Sequence, residues 1–526
     1  MKKPLTLCFG VFLSWTALLS GTACARDARP NILFIMTDDH AAHAISAYGS
    51  RINHTPHLDQ IAAEGIRFSN AFVCNSICTP SRATVLTGKY SHKNGTPVFN
   101  VFDGSQQTVA KLLQAGGYHT AIVGKWHLGS DPTGFDAWNI LPGQGRYFDP
   151  ILYTKEGARQ YPGYATQVIT DLAIDTLKAR PKDKPFFLML HHKAPHREWQ
   201  PDPVNAAKFA NVRIPEPATL RDRYETRPAA LPENRQRVGD DLTRRDLKLT
   251  PPAGLDRQQT AKWLSEIPRE VEIEENGAVR TLRGEELFEW KYQKYMRDYL
   301  ACVQGVDDEV GRLRRWLAAE GLTENTVVIY TTDNGFFLGD NGLFDKRFMY
   351  EPSLRIPLLV SWPSVIKPGT VSELFALNAD YAPTFLEIAR LPVPEDMQGR
   401  SLVPVLRGEK PSSWRKSMYY RYYHDPGNHN TRAHYGVRTA THKLIYFWKK
   451  DSWELFDLTR DPGEQRNLVE DAGSAQILRE MKSELARLRA ELQDEDQYAD
   501  QLPRDGVDGG KLRWLPGHEP GRAAGK

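Results

Sequence analysis

The run Asn31-Ile32-Leu33-Phe34-Ile35-Met36, closed by Thr37-Asp38-Asp39, decides how this chain folds. It has no polar alternation, so it does not suit a strand with one wet face. It suits a strand buried on both sides, as in a parallel sheet covered by helices. The two acids at its end then matter, because open α/β sheets place their sites beyond the carboxyl ends of their strands. Taken alone, an Asp-Asp pair is more often a helix cap or a solvated turn.

The same pattern recurs outward from that run. Thr55-Pro56 starts a helix with Leu58, Ile61, Ala62 and Ile66 on one face and Gly65 near its end. Another helix begins at Thr108 and stops at Gly116-Gly117, and a strand over 119–123 then ends at Gly124-Lys125-Trp126-His127. A helix over about 165–179 leads to a strand over 186–190 ending at His191-His192. A long amphipathic helix over about 286–319 leads to a strand over 326–330 ending at Thr332-Asp333-Asn334-Gly335, and 357–361 is a further strand. This alternation predicts an α/β fold with a large, mixed but mostly parallel sheet sandwiched by helices.

With 526 residues, 40% of them hydrophobic, the chain is too long for one ordinary domain. Residues 26–400 read as the main domain. Within it, 201–278 is rich in Pro and charge and poor in apolar periodicity, an insertion that surrounds a site or forms a partly mobile lid. Residues 401–500 change character, with short strand-like runs over 417–423, 434–439 and 443–447 and a helix near 475–492, a small α+β subdomain. The tail over 501–526, rich in Gly, Pro and Arg, reads as loose. No internal repeat is present.

The first 25 residues read as a signal peptide: Lys2 and Lys3, an apolar stretch over 5–19, and Ala23-Cys24-Ala25 as the cleavage site. Thr22-Ala23-Cys24 partly matches a lipoprotein box, but Gly21 stands where a larger aliphatic is usual. An exported protein, periplasmic or secreted, is expected, with no transmembrane segment. Losing the two leader lysines takes the formal charge from +3 to +1, which excludes nucleic acid or an anionic membrane as the main partner. Cleavage leaves Cys74, Cys78 and Cys302, too few for a disulfide scaffold. Cys74 and Cys302 either pair or stay as two buried thiols. A zinc site built on cysteine pairs is unsupported.

Asp38, Asp39 and Asp333 with Asn334 form an oxygen-rich set without histidine, which suits a hard cation. Calcium fits better than magnesium if the protein supplies all the ligands. Lys125 and His127 lie two residues apart, which in an extended segment puts both side chains on one side. His196, in Lys193-Ala194-Pro195-His196, follows a strand, with His191 and His192 as competitors. Lys346 lies in the polar segment Phe344-Asp345-Lys346-Arg347. A phosphatase-type loop needs arginine six positions after its cysteine; Thr84 stands there for Cys78 and Pro80 for Cys74, so that reading fails.

The stretch Cys78-Thr79-Pro80-Ser81-Arg82, followed by Leu86-Thr87-Gly88, resembles the signature of the type I, formylglycine-dependent sulfatases of the alkaline phosphatase superfamily. The resemblance runs from Asn31 to about Leu468. It implies that a maturation enzyme oxidises Cys78 to formylglycine (3-oxoalanine), and that Asp38, Asp39, Asp333, Asn334 and the modified Cys78 bind one calcium ion. It implies that Arg82 and Lys125 position the modified side chain and that His127 accepts its proton. His196 and Lys346 hold the sulfate and assist the leaving oxygen, and Lys125 also faces the substrate. The family's acidic-histidine pair is here Asp340-Asn341, and Asn341 receives no role. The aldehyde of formylglycine hydrates to a diol; one hydroxyl attacks sulfur, and loss of the other's proton later expels sulfate.

The segments Tyr422-Tyr423-His424-Asp425, His434-Tyr435-Gly436-Val437-Arg438-Thr439 and Lys443-Leu444-Ile445 resemble bacterial glycan sulfatases of the N-acetylglucosamine-6-sulfatase-like kind. His424, His434 and Arg438 are therefore candidates to face a sulfated carbohydrate; a packed interdomain surface is the alternative. Gln144 and Arg146, in a Gly-rich loop, are further candidates. A phosphonate monoester or phosphodiester hydrolase of the same superfamily is the competing enzyme reading. A non-catalytic glycan-binding protein is the competing reading from another class.

Overall fold

The structure is a computed structural model and describes residues 29–275, 277–508 and 513–515. The proposed leader and its cleavage site lie outside the described residues. The main sheet contains ten strands: Asn31–Thr37 (β1), Ile66–Phe68 (β2), His119–Lys125 (β3), Ala137–Leu141 (β4), Ile151–Tyr153 (β5), Ala158–Gln160 (β6), Phe186–His191 (β7), Thr326–Thr332 (β8), Leu358–Ser361 (β9) and Thr370–Ser372 (β10). Their order is β10-β2-β9-β8-β1-β7-β3-β4-β5-β6. The central run β8-β1-β7-β3-β4 is parallel. Antiparallel pairs flank it, so the sheet is mixed but mostly parallel, as expected.

Every residue of β1 is buried. Leu33 and Ile35 enter one core, packed with Pro56–Glu64 (α1), Ala165–Ala179 (α3) and the long Gly284–Ala319 (α4). Ile32, Phe34 and Met36 enter the opposite core with Cys78–Thr87 (α2) and Tyr381–Ile388 (α5). Period-two alternation thus sends an all-apolar strand into two apolar layers.

The C-terminal part is a four-stranded antiparallel sheet in sequence order, Ser417–Tyr422 (β11), His434–Thr439 (β12), His442–Phe447 (β13) and Ser452–Asp457 (β14), with Ala475–Leu492 (α6) against it. The insertion is folded, with short helices at Pro203–Phe209, Val238–Asp241 and Arg257–Ser265. Arg197 of the main domain forks onto Asp246 of the insertion at 2.7 and 2.6 Å.

One open alternative is decided and one expectation needs correction. Of the two alternatives for Cys74 and Cys302, the structure has the buried thiols: both are free, in separate cores beside Phe72 and Val303 respectively. The tail is docked rather than loose as far as it is described. Gly506 N and Val507 N both donate to Phe99 O, at 2.9 and 3.1 Å. Leu515 N donates to Ala158 O at 3.0 Å, so the chain returns to the edge of the main sheet. Among the described residues no helix is long and apolar enough to cross a membrane.

Candidate active site

The site forms where the central parallel strands end. Thr37 and Thr332 are register partners on β1 and β8, so the acids that follow each strand emerge side by side. An extended chain would send Asp38 and Asp39 to opposite faces. Asp39 instead has φ 69°, a left-handed turn that aspartate tolerates. Tyr299 of α4 fixes this turn, donating to Asp39 O at 2.7 Å and accepting from Ala41 N at 2.8 Å. On the other strand, Gly335 allows a close crossing: a Cβ there would come within 2.3 Å of Pro352 O.

Helix α2 brings the cysteine. Cys78, Ser81 and Arg82 are spaced i, i+3, i+4 and share one face. Pro80 falls in the first turn, where a missing N–H costs no helical hydrogen bond. Ser81 Oγ donates to Asp333 O at 2.5 Å. Arg82 donates from Nε and Nη2 to Asp333 Oδ2 at 3.0 and 2.8 Å, and from Nη1 to Lys125 O at 2.7 Å. Cys78 Sγ thereby lies 3.4 Å from Asp38 Oδ1, 3.4 Å from Lys346 Nζ and 3.8 Å from Lys125 Nζ. Lys125 also pairs with Asp38 Oδ2, and Lys346 with Asp39 Oδ1.

Electrostatics follow from burial inside a ring of charges. Burial alone would raise Asp38, but Lys125, His196, Arg82 and Lys346 outweigh it and hold the carboxyl well below the usual range. Asp39 is pushed up to about 7 by burial and by Asp38 and Asp333, against Lys346. The Cys78 thiol is pushed up to about 12 by burial and Asp38. As a plain thiol it is neutral at pH 7 and a poor nucleophile.

The donor set fits a cation. Oxygens of Asp38, Asp39 and Asp333 lie within 4.8 Å of one another. Asp39 Oδ2 and Asn334 Oδ1 are buried and accept no hydrogen bond. A buried carboxylate oxygen left bare is costly unless something positive meets it. Three carboxylates and an amide, all oxygen, match calcium better than a softer metal.

His127 follows β3 by a turn, with φ 52°, rather than by the extended segment expected. It still meets Lys125 through one residue: Lys125 Nζ donates to Gln144 Oε1 at 2.7 Å, and Gln144 Nε2 is 3.2 Å from His127 Nε2. Burial lowers His127 to about 4 despite its hydrogen bond to Asp508, so the ring is neutral at pH 7. Gly124 lets β3 pass close to the end of β7, because a Cβ there would overlap His191 O at 1.9 Å. His196 Nδ1 is 2.6 Å from Arg197 O and its Nε2 is 3.8 Å from Asp39 Oδ2.

His191 and His192 do not meet Cys78. His191 sits behind Arg82, its Nδ1 3.3 Å from Arg82 Nη1 and 3.0 Å from Lys125 O, and His192 is fully buried, pushed down to about 3 by burial and Arg312. Asn341 bonds Gly463 O at 2.9 Å and Thr219 Oγ1 at 2.8 Å, away from the cluster. His424 packs against Phe99 with ring centroids 5.8 Å apart, and the same ring lies 5.8 Å from His127, so His424 stays near the site.

His434 and Arg438 do not face an opening, a correction to the expectation. His434 is 0% exposed, accepts from Met349 N at 3.1 Å, bonds Arg432 O at 2.8 Å and packs on Phe348, Tyr420 and Phe447. Arg438 lies over Phe72 and Phe375 and pairs with Glu351 at 3.2 Å. Both join the small sheet to the main domain.

A cavity of about 660 Å³ opens beside His196, lined by Gln144, Arg146, Lys193, Arg197 and, from the insertion, Arg245. The insertion is therefore a wall of the site. A second cavity of about 520 Å³ shares Gln144 and is lined by Trp126, His127, Tyr153 and Asp508. Asp508, Lys193 and His429 were missed in the sequence. His429 reaches from the small domain to Asp345 Oδ2 at 2.9 Å, next to Lys346. Only Lys193 carried a local signal, its position in the segment that ends at His196.

Comparison with known proteins agrees with this geometry. The family model "Sulfatase" matches residues 30–391, and "N-sulphoglucosamine sulphohydrolase, C-terminal" matches 339–491. The chain is 46% identical over 512 residues to an N-acetylglucosamine-6-O-sulfatase of Bacteroides thetaiotaomicron, covering 93% of this chain and 91% of that one. It aligns with TM-score 0.83 and 43% identity to a protein solved in complex with its substrate, D-glucosamine-2-N,6-O-disulfate, covering 90% of this chain and 100% of that chain. A phosphonate monoester hydrolase from Silicibacter pomeroyi shares the fold at TM-score 0.65 and 21% identity, covering 90% and 97%. The match across 30–391 and the 46% identity show that this chain belongs to the sulfatase family and is a sulfuric ester hydrolase.

Proposed function

We propose that this sulfatase removes the 6-O-sulfate of a glucosamine residue in a sulfated glycan, using Cys78 oxidised to formylglycine and one bound calcium. The observation that carries the site is the meeting of Asp38, Asp39, Asp333 and Asn334 at Cys78, with two buried oxygens left bare. The sugar rests on the 46% identical relative and on the substrate of the similar solved complex. Export through the leader and oxidation by a maturation enzyme belong to the same reading.

Asp38, Asp39, Asp333 and Asn334 would hold the calcium, which when bound would supply positive charge to the site. The oxidised Cys78 supplies an oxygen nucleophile in place of a thiol that this pocket keeps protonated. The chain's own residues do the rest. Lys125 and Lys346 flank the Cys78 side chain and set positive charge where the sulfate charge is carried. Arg82 holds Asp333 and the Lys125 backbone in one fork, which fixes the two sides of the site relative to α2. Neutral His127 takes a proton from the nucleophilic side chain. His196 is oriented through Arg197 O; burial and Lys125 hold it well below its ordinary value in the free site, and a bound sulfate's negative charge acts against that shift, toward a ring that can donate to the leaving oxygen.

Hydrolysis of N-acetylglucosamine-6-sulfate by the mature enzyme, beside matched aryl sulfate, phosphate and phosphonate esters, tests the proposal. Turnover of the 6-sulfate with sulfate release supports it. Activity confined to phosphorus esters would overturn it in favour of the phosphonate hydrolase reading.

A further inference from the structure

Two neighbours compete for one nitrogen of His127. Its Nε2 is 3.2 Å from Asp508 Oδ1 and 3.2 Å from Gln144 Nε2. Gln144 is oriented from its other side, where Oε1 accepts from Lys125, so its NH₂ faces the imidazole. An amide NH₂ only donates and a carboxylate only accepts. Gln144 therefore favours a bare Nε2 with the proton on Nδ1. Asp508 favours the proton on Nε2 with a bare Nδ1. The charged acceptor is the stronger partner. Nδ1 lies 3.4 Å from Thr79 Oγ1, beside the first turn of α2. The Thr79 hydroxyl already donates to His127 O at 2.8 Å, so it gives Nδ1 no proton.

Asp508 is held in place by the return of the tail. Phe99 O accepts from both Gly506 N and Val507 N, and Val507 is 6% exposed. Two residues earlier than Val507, Asp505 Oδ1 is 3.3 Å from His424 Nε2, and His424, like His127, lies 5.8 Å from the Phe99 ring. The loop that carries Gln144 leaves room for the carboxylate: a Cβ on Gly143 would come 2.7 Å from Asp508 Oδ1.

We propose that Asp508, delivered by this strap of residues 505–508, is a positioning residue that keeps the proton of His127 on Nε2 and leaves Nδ1 free to accept one. The proposal rests on the reading of His127 as the proton acceptor at the nucleophile. It goes beyond that reading by assigning the tautomer, and by assigning its control to a segment outside both matched family regions.

The test uses the full-length protein with Asp508→Asn, Asp508→Ala and Asp508→Glu. The Asp508 side chain is 60% exposed, so these changes leave the fold intact. Long-range ¹H–¹⁵N spectra of ring-labelled histidine report the tautomer of His127, assigned with His127→Gln, and need no oxidation of Cys78. The expected result is Nε2–H in the native protein and loss of that form in the Asn and Ala variants. In steady-state kinetics kcat falls about tenfold or more with KM little changed, and Glu restores part of it. Retention of Nε2–H in Asp508→Ala overturns the proposal. So does a rise in KM at unchanged kcat, which would make Asp508 a sugar contact. Full activity of His127→Gln would instead sink the underlying reading of His127.

Discussion

Asn334 Nδ2 donates to Asp39 Oδ1 over 2.6 Å across 295 residues of chain, yet Asn334 Oδ1 and Asp39 Oδ2 are each buried without a hydrogen-bond partner. The amide is used to hold the two side chains together, and one oxygen of each is left over. Calcium should therefore raise the melting temperature of the protein, whether or not Cys78 is oxidised. At a calcium concentration about 100 times its Kd the added stability is about 2.7 kcal/mol. Asp39→Asn should lose that shift. Thermal melts in chelator and in calcium check it, and an identical native melt in both would remove the metal from the account.

Arg82 makes one fork with three contacts, to Asp333 twice and to Lys125 O. A lysine keeps the charge but has no planar fork, so it cannot meet both partners. Arg82→Lys is expected to lower kcat by about tenfold or more and to lower the melting temperature. Its KM should change little, because Arg82 is 2% exposed and lies behind the site. Steady-state kinetics and a melt on the same preparation decide this.

His434 gives the protein a pH-dependent stability unrelated to catalysis. Burial lowers its pKa from 6.5 to about 4, and its Nε2 must stay bare to accept from Met349 N. The folded state thus prefers the neutral ring. This contribution is complete above pH 6.5, falls as pH drops through the interval down to about 4, and is gone below that. Its size is about 3 kcal/mol. His434→Gln, which offers both an acceptor and a donor, should flatten the slope of denaturant stability over that interval. Its KM at pH 7 should match the native enzyme; a large rise would return His434 to the sugar site.

The pair Arg197–Asp246 ties the insertion to the segment that carries His196. Asp246 also accepts from Thr243 N and Oγ1, at 2.9 and 2.7 Å, so it is already positioned to receive Arg197. Arg197→Ala should loosen the wall of the 660 Å³ cavity and raise KM about tenfold, with a smaller effect on kcat. Kinetics on the sulfated sugar and on a small aryl sulfate separate the two. The aryl ester, which needs less of the cavity, should be affected less.

The architecture was readable in the sequence because β1 is apolar throughout, so its two buried faces show without any partner. The Cys78, Ser81, Arg82 spacing was readable for a similar reason: a helix puts those three on one face whatever it packs against. Other features depend on contacts that no local pattern records. The left-handed turn at Asp39 is fixed by Tyr299, 260 residues away. His434 and Arg438 looked available because their segments carry polar and aromatic residues together. That mixture serves an aromatic interdomain core in which the His434 ring and the Arg438 guanidinium both have local partners. Asp508 sits in a Gly- and Pro-rich tail whose composition argues for looseness, and its partner lies 381 positions earlier.

That late contact also bears on the order in which the protein is made. Every residue matched by the two family regions has been synthesised by position 491, but Asp508 has not. A nascent chain can close its sheet, bring Asp38 beside Cys78 and seat Arg82 on Asp333 while the partner of His127 is still to come. The end of the matched family models is therefore not the end of the contacts around His127, and a chain trimmed at 491 keeps Asp38, Asp39, Asp333 and Asn334 and lacks the strap.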